Sequence, residues 1–114
     1  MVADPFADEA RGRAERMNYL DKIAAEIQRT AHPSSTPPDE DLPLYRLYAI
    51  LLLAKGQDVT LEDVHNAWVA WASDHHPESR HLIPFKELSL PIQRKDQKYV
   101  EAIREVAEQL RVGD

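Results

Sequence analysis

Along this chain the apolar residues recur three and four apart, and nowhere do they alternate in twos over the length of a strand. That is the signature of amphipathic helices, and it predicts four of them. Met17, Leu20, Ala24, Ile27 and Ala31 form the first stripe. It lies in a stretch, Met1 to Thr30, that reads as one long helix or two abutting ones, with Asp4 as cap and Pro5 at the first helical position. Before Met17 the stripe weakens, Arg13 falling where an apolar side chain is wanted. Residues 1–16 are therefore expected to be a helical extension outside the core, and residues 17–112 a single domain. His32 to Pro43, HPSSTPPDEDLP, reads as a linker, because prolines lack a backbone donor and Ser, Thr and Asp favour turns.

The second helix is predicted over Leu44 to Lys55, with Leu44, Leu47, Tyr48, Leu51 and Leu52 on one face. Ile50 and Leu53 add apolar surface on other sides, so this helix is expected to be central and packed on several sides. Gly56 falls where a left-handed C-cap belongs. Thr60 with Asp63 predicts a capping box for the third helix, whose stripe is Leu61, Val64, Trp68 and Trp71 and whose end is near Asp74. Residues 75–83 read as irregular, Pro84 to Leu88 as a single helical turn, and Ser89 as the cap of the next helical stretch. The last helix is expected from about Asp96 to Arg111, with Tyr99, Ile103, Val106 and Leu110 facing inward and Gly113 just past its end. The fold class is thus all-α: a small four-helix single domain with a polar loop and a short turn before the last helix.

Composition narrows the function. A hydrophobic fraction of 43% and a charged fraction of 30% are those of a globular protein. The formal net charge is −6, and no Lys/Arg run is long enough for a sequence-independent grip on phosphates, so nucleic acid is not the expected partner. With no cysteine there is no disulfide, thiolate metal site or thiol nucleophile, which fits a reducing cytoplasm. The acidic N-terminus does not read as a signal peptide, and the longest apolar run, Ala49 to Ala54, is far short of the roughly 20 residues of a membrane span.

Candidate chemistry concentrates between Val59 and Leu88, which hold both tryptophans and four of the five histidines. His75, His76 and His81, beside Asp74 and Glu78, invite a metal reading, since imidazole and carboxylate are ordinary ligands for divalent ions. Their spacing matches no strong metal template, and solvated loop histidines are the plainer reading. His65 lies one helical turn before Trp68, placed either to act as a base or ligand contact or to be buried with its nitrogens satisfied. Arg80, Arg94, Lys95 and Lys98 with His81 read equally as a small anion site or as a solvated basic edge. No serine sits in a nucleophile elbow and no glycine-rich phosphate loop is present, so catalysis is not favoured and no cofactor is expected.

From Val64 onward these residues resemble the ryanodine-receptor repeat (RyR) domain. That module carries a helix with His three before Trp, then His leading to Leu-Val-Pro-Tyr, then Glu-Leu-Ser/Pro, and an Asp twelve after the proline. Val64, His65 and Trp68 match the first part. His81, Leu82, Ile83, Pro84 and Phe85 match the second with Phe for Tyr, followed by Glu87, Leu88, Ser89 and Asp96. The resemblance covers about residues 59–110; the family's Gly-Trp-x-Tyr-Gly segment has no counterpart here. The whole chain also looks like small actinobacterial and actinophage proteins of unknown function. Both resemblances imply a non-catalytic binding or regulatory module of phage or bacterial origin, recognising a host or bacterial protein or a small nucleotide-like ligand. Its expected binding residues are His65, Trp71, His76, Arg80, His81 and Phe85. Pro84 and Leu88 are expected to anchor the turn against Trp68, and Asp96 to hold it by accepting backbone hydrogen bonds. Two alternatives stand beside this reading: a metal-dependent hydrolase using the loop histidines, and a structural homo-oligomer built through the first helix.

Overall fold

A computed structural model describes residues 18–34 and 41–113 of the chain. The expectations for residues 1–17, including the Asp4 cap, and for most of the linker lie outside these residues. Four helices make the frame, and no strand occurs among the described residues.

Helix α1, Tyr19–Ala31, begins at Asn18, whose side chain accepts from the Asp21 amide at 2.8 Å while Asp21 accepts from the Asn18 amide. This closes a capping box that satisfies two amides the helix cannot. Ile23, Ala24 and Ile27 are its buried residues; Ile23 extends the predicted stripe, while Leu20 and Ala31 pack only at its edge. Helix α2, Leu42–Lys55, starts two residues ahead of its stripe because Pro43 is compatible with a first helical turn.

Helix α2 packs against α1, against helix α3, Leu61–His75, and against helix α4, Gln97–Gly113. Its central position is as expected, but its burial differs in detail. Tyr45 and Ala49 are buried beside Leu44, Tyr48 and Leu52, whereas Leu47 and Leu51 are partly buried. Ile50 and Leu53 are 49% and 53% exposed, because three neighbours do not surround a helix. The shared core is completed by Val59, Val64, Trp71, Ala72, Val100, Ala102, Ile103 and Val106. Each large aliphatic side chain buried there contributes about 1.5–3 kcal/mol of transfer free energy.

Gly56 ends α2 with φ +55°, ψ −119°, a conformation for which an L side chain is strained, and its amide still reaches Leu52 O. The positive φ is as predicted, although ψ departs from a left-handed cap and leads into a 3-10 turn, Gly56–Asp58. Thr60 caps α3 as expected: its hydroxyl accepts from the Asp63 amide at 3.1 Å and Asp63 accepts from the Thr60 amide at 2.9 Å. After His75 the chain is irregular apart from a 3-10 turn, Phe85–Glu87. From Leu90 it is continuously helical, through one α-turn, Leu90–Gln93, and a 3-10 turn, Arg94–Asp96, into α4. Two expectations at the ends of this run are corrected. Gly113 lies within α4, and Leu110, predicted to face inward, is exposed.

Candidate functional site

The segment from His76 to Asp96 is held by His65 from α3 and by Gln93 and Leu88 from within the segment itself. His65 is 3% exposed, and its Nε2 lies 2.7 Å from the Ile83 carbonyl oxygen. A carbonyl only accepts, so Nε2 carries the proton and donates. The ring is stacked on Trp68 with centroids 5.9 Å apart and lies 6.1 Å from Phe85. Gln93 donates through Nε2 to the carbonyls of Phe85, at 3.1 Å, and Leu88, at 3.0 Å. Leu88 is buried beneath the turn. The short 3-10 turn itself closes through the Glu87 and Leu88 amides, which donate to Pro84 and Phe85.

Three details of this turn differ from expectation. Pro84 is exposed, so Leu88 is the apolar anchor without it. Ser89 occupies the cap position of the Leu90 turn, but its side chain makes no capping hydrogen bond. Among the described residues, no backbone amide donates to Asp96. Asp96 is instead partly buried, near enough to Tyr48 and Tyr99 to act on both, and burial pushes its pKa up against the favourable charge of His65. Gln93 takes the holding role assigned to Asp96. A glutamine three residues after a Leu-Pro helix start is a weak sequence signal, and only the fold brings it to the two carbonyls.

The other predicted residues fall at different depths. Trp71 is buried, with His75 stacked on it at 4.6 Å and His76 against its edge at 5.3 Å. His75 Nδ1 donates to the Trp71 carbonyl at 2.8 Å. His76 and Arg80 are exposed, while His81 and Phe85 are partly buried. The His81 amide donates to Ser79 Oγ. His75 and His76 therefore belong to the end of α3, and His65 with Phe85 to a separate aromatic layer. No three His, Asp or Glu side chains come together as a metal set among the described residues.

One cluster escaped the sequence reading. Tyr45, Tyr48 and Tyr99 pack edge to face or tilted, with centroids 5.5–6.4 Å apart, and His32 Nε2 lies 3.0 Å from the Tyr99 hydroxyl. Burial raises the pKa of all three phenols, with Asp41 adding to each shift and Asp96 to those of Tyr48 and Tyr99. Burial also lowers the His32 pKa, and Lys98 lowers it further. Neutral rings in close contact suit a packed interior. Tyr48 and Tyr99 were legible as helix-stripe residues, Tyr45 was not, and the three were not legible as one layer because they come from α2 and α4 and meet only after the chain has turned twice.

Fold and site together define a small all-α, four-helix domain in which a long connection is pinned onto the third helix. Over residues 18–108 the chain matches the family described as a domain of unknown function (DUF7701), and it belongs to that family. No curated protein and no solved structure matches it. No helix among the described residues is long and apolar enough to cross a membrane.

Proposed function

We propose that this chain is a non-catalytic recognition module of phage or bacterial origin, working in the cytoplasm, that binds a host or bacterial protein through the outer side of the His76–Asp96 segment. The observation that carries the reading is the anchoring of that segment. His65 from α3 and Gln93 from within the segment bond the carbonyls of Ile83, Phe85 and Leu88, so the backbone there is held before any partner arrives. Irregular connections longer than about 12–15 residues are uncommon in compact domains unless they serve a function. The RyR-like residues fit this division of labour, His65, Trp68 and Leu88 forming the support while His76, Arg80 and His81 reach the rim. A small nucleotide-like ligand is the form of this reading suggested by the resemblance alone.

The test is capture of partners from source-cell extract by the wild-type chain and by the Arg80→Ala/His81→Ala double variant, each identified by mass spectrometry. The double variant is expected to keep the wild-type melting temperature and to lose most of the captured partner. Normal capture by that variant, with loss on changing the exposed face of α1, would move the surface elsewhere. Calorimetric titration with nucleotides checks the small-ligand form.

A further inference from the structure

The basic side chains of this protein fall into two groups. Arg29, Arg46, Lys55 and Arg111 each pair with a carboxylate, and Arg104 donates to the Val59 carbonyl. Arg80, Lys86, Arg94 and Lys95 are exposed and meet no acceptor among the described residues, and Lys98 lies only against the Tyr99 ring, 5.2 Å from its centroid. Outside this segment Lys22 is the one other described basic residue without an acceptor. In a chain of net charge −6, residues 80–98 thus carry five basic and two acidic side chains. One of those acids, Asp96, is partly buried.

Arg94, Lys95 and Lys98 follow the first turn of the helical run that begins at Leu90, and all three are exposed. They also share a surface with apolar residues. Along the helical run from Leu90, positions 90/91, 94/95 and 98 recur three and four apart, and all five are exposed. Leu90 is 61% exposed, and Ile83, on the adjoining loop, is 37% exposed. Cations left unpaired beside uncovered aliphatic side chains complement a partner with carboxylates and apolar groups alternating on one face.

We infer that the stripe of Leu90, Arg94, Lys95 and Lys98, with Ile83 and Lys86 beside it, docks an acidic, apolar-bearing segment of a partner protein. This deepens the recognition reading above and rests on it. A protein segment is favoured over nucleic acid because Glu87 and Glu101 interrupt the basic track and the aliphatic positions offer nothing to a phosphate backbone.

The probes are a synthetic amphipathic peptide carrying Glu and Leu at helical spacing, its Gln-for-Glu counterpart and a single-stranded oligonucleotide. Binding to the full chain is followed by fluorescence anisotropy of the labelled probe. The acidic peptide is expected to bind, to weaken about tenfold between about 0.05 and 0.3 M salt, and to lose about tenfold or more on Arg94→Glu/Lys95→Glu. Leu90→Ser is expected to weaken it several-fold with no change in melting temperature. The Gln counterpart is expected to bind far more weakly. Equal binding of the two peptides, indifference to the Arg94/Lys95 reversal, or no binding up to about 1 mM overturns the inference. Tighter binding of the oligonucleotide also overturns it and assigns the stripe to nucleic acid. A partner lost with Arg80/His81 but captured normally by the Arg94/Lys95 reversal leaves the recognition reading standing and removes this one.

Discussion

Lys55 to Thr60 takes the chain from α2 into α3 in a handful of residues; His76 to Asp96 takes it from α3 into α4 over several times that length. In the short connection the polar groups look inward to the fold. Lys55 Nζ holds both Asp63 oxygens at 2.9 and 3.0 Å, Gln57 donates to Arg104 O at 2.7 Å, and Arg104 donates to Val59 O at 2.7 Å. Burial would raise the Asp63 carboxyl, yet the Lys55 and Thr60 hydrogen bonds outweigh it and hold it below the usual range. In the long connection the holding is done by the His65 and Gln93 side chains on carbonyls, and Arg80, Lys86, Arg94 and Lys95 are exposed and meet no acceptor among the described residues. Charge used by the fold in one region is left available in the other, which is why we propose recognition for the second.

That contrast can be broken by substitution. The largest effect is expected beneath the short connection, where Leu52→Ala should cost about 2–5 kcal/mol, as emptying a buried leucine site does. Leu51→Ala, only partly buried, should cost distinctly less in the same denaturation measurement. Next comes His65→Ala, which removes the donor to Ile83 and the ring between Trp68 and Phe85; about 1–3 kcal/mol is expected. Its diagnostic is hydrogen exchange, which should rise in residues 82–88 far more than in α1; uniform change would mean that His65 supports the core and not the connection. Smaller still is Thr60→Ala, at about 0.5–2 kcal/mol for a lost cap, against Ser89→Ala, expected within about 0.5 kcal/mol because its hydroxyl caps nothing. A Ser89 variant as costly as Thr60 would remove the distinction between the two connections.

The same contrast explains how far the sequence alone was legible. Local rules place the short connection: Thr60 and Asp63 stand three apart, Gly56 follows a long apolar helix, and Val64 and Trp71 repeat on the helical period. The helix-three stripe was legible for that reason, and the helix-four stripe was legible through Val106 but not at Leu110, which is exposed. Nothing local encodes the long connection. His65 reaches Ile83 from 18 positions away, and Gln93 was silent in the pattern because its partners are carbonyls, which every residue carries. The Asp96 expectation followed dipole logic at a helix start, but the helical run begins earlier, at Leu90, and leaves Asp96 partly buried near His65, Tyr48 and Tyr99. Asn18 is hidden as a cap because the first stripe continues through Met17, and a cap is visible only once the helix is known to begin there.

The smallest expected effect tests whether the unpaired cations reach back into the fold. His32 ends α1, its Nε2 beside the Tyr99 hydroxyl, and its pKa is lowered from 6.5, first by burial, then by Lys98, with Asp41 opposing. Because the folded pKa lies below the unfolded one, the unfolded chain takes up the proton first as pH falls. The contribution is therefore complete above 6.5 and is lost as pH drops through the folded value. Asp96 acts with the opposite sign in a more acidic window: its folded pKa is raised above 3.8, so its contribution weakens as pH rises past that value. Melting temperature measured at closely spaced pH values should accordingly climb on approach to 6.5 in the wild type, and His32→Gln should flatten that climb. Lys98→Gln should flatten it in part, since burial remains when the neighbouring charge is gone. If Lys98→Gln leaves the slope untouched while His32→Gln abolishes it, the cation at the head of α4 has no part in the stability of the fold, and the division between the two connections is sharper still.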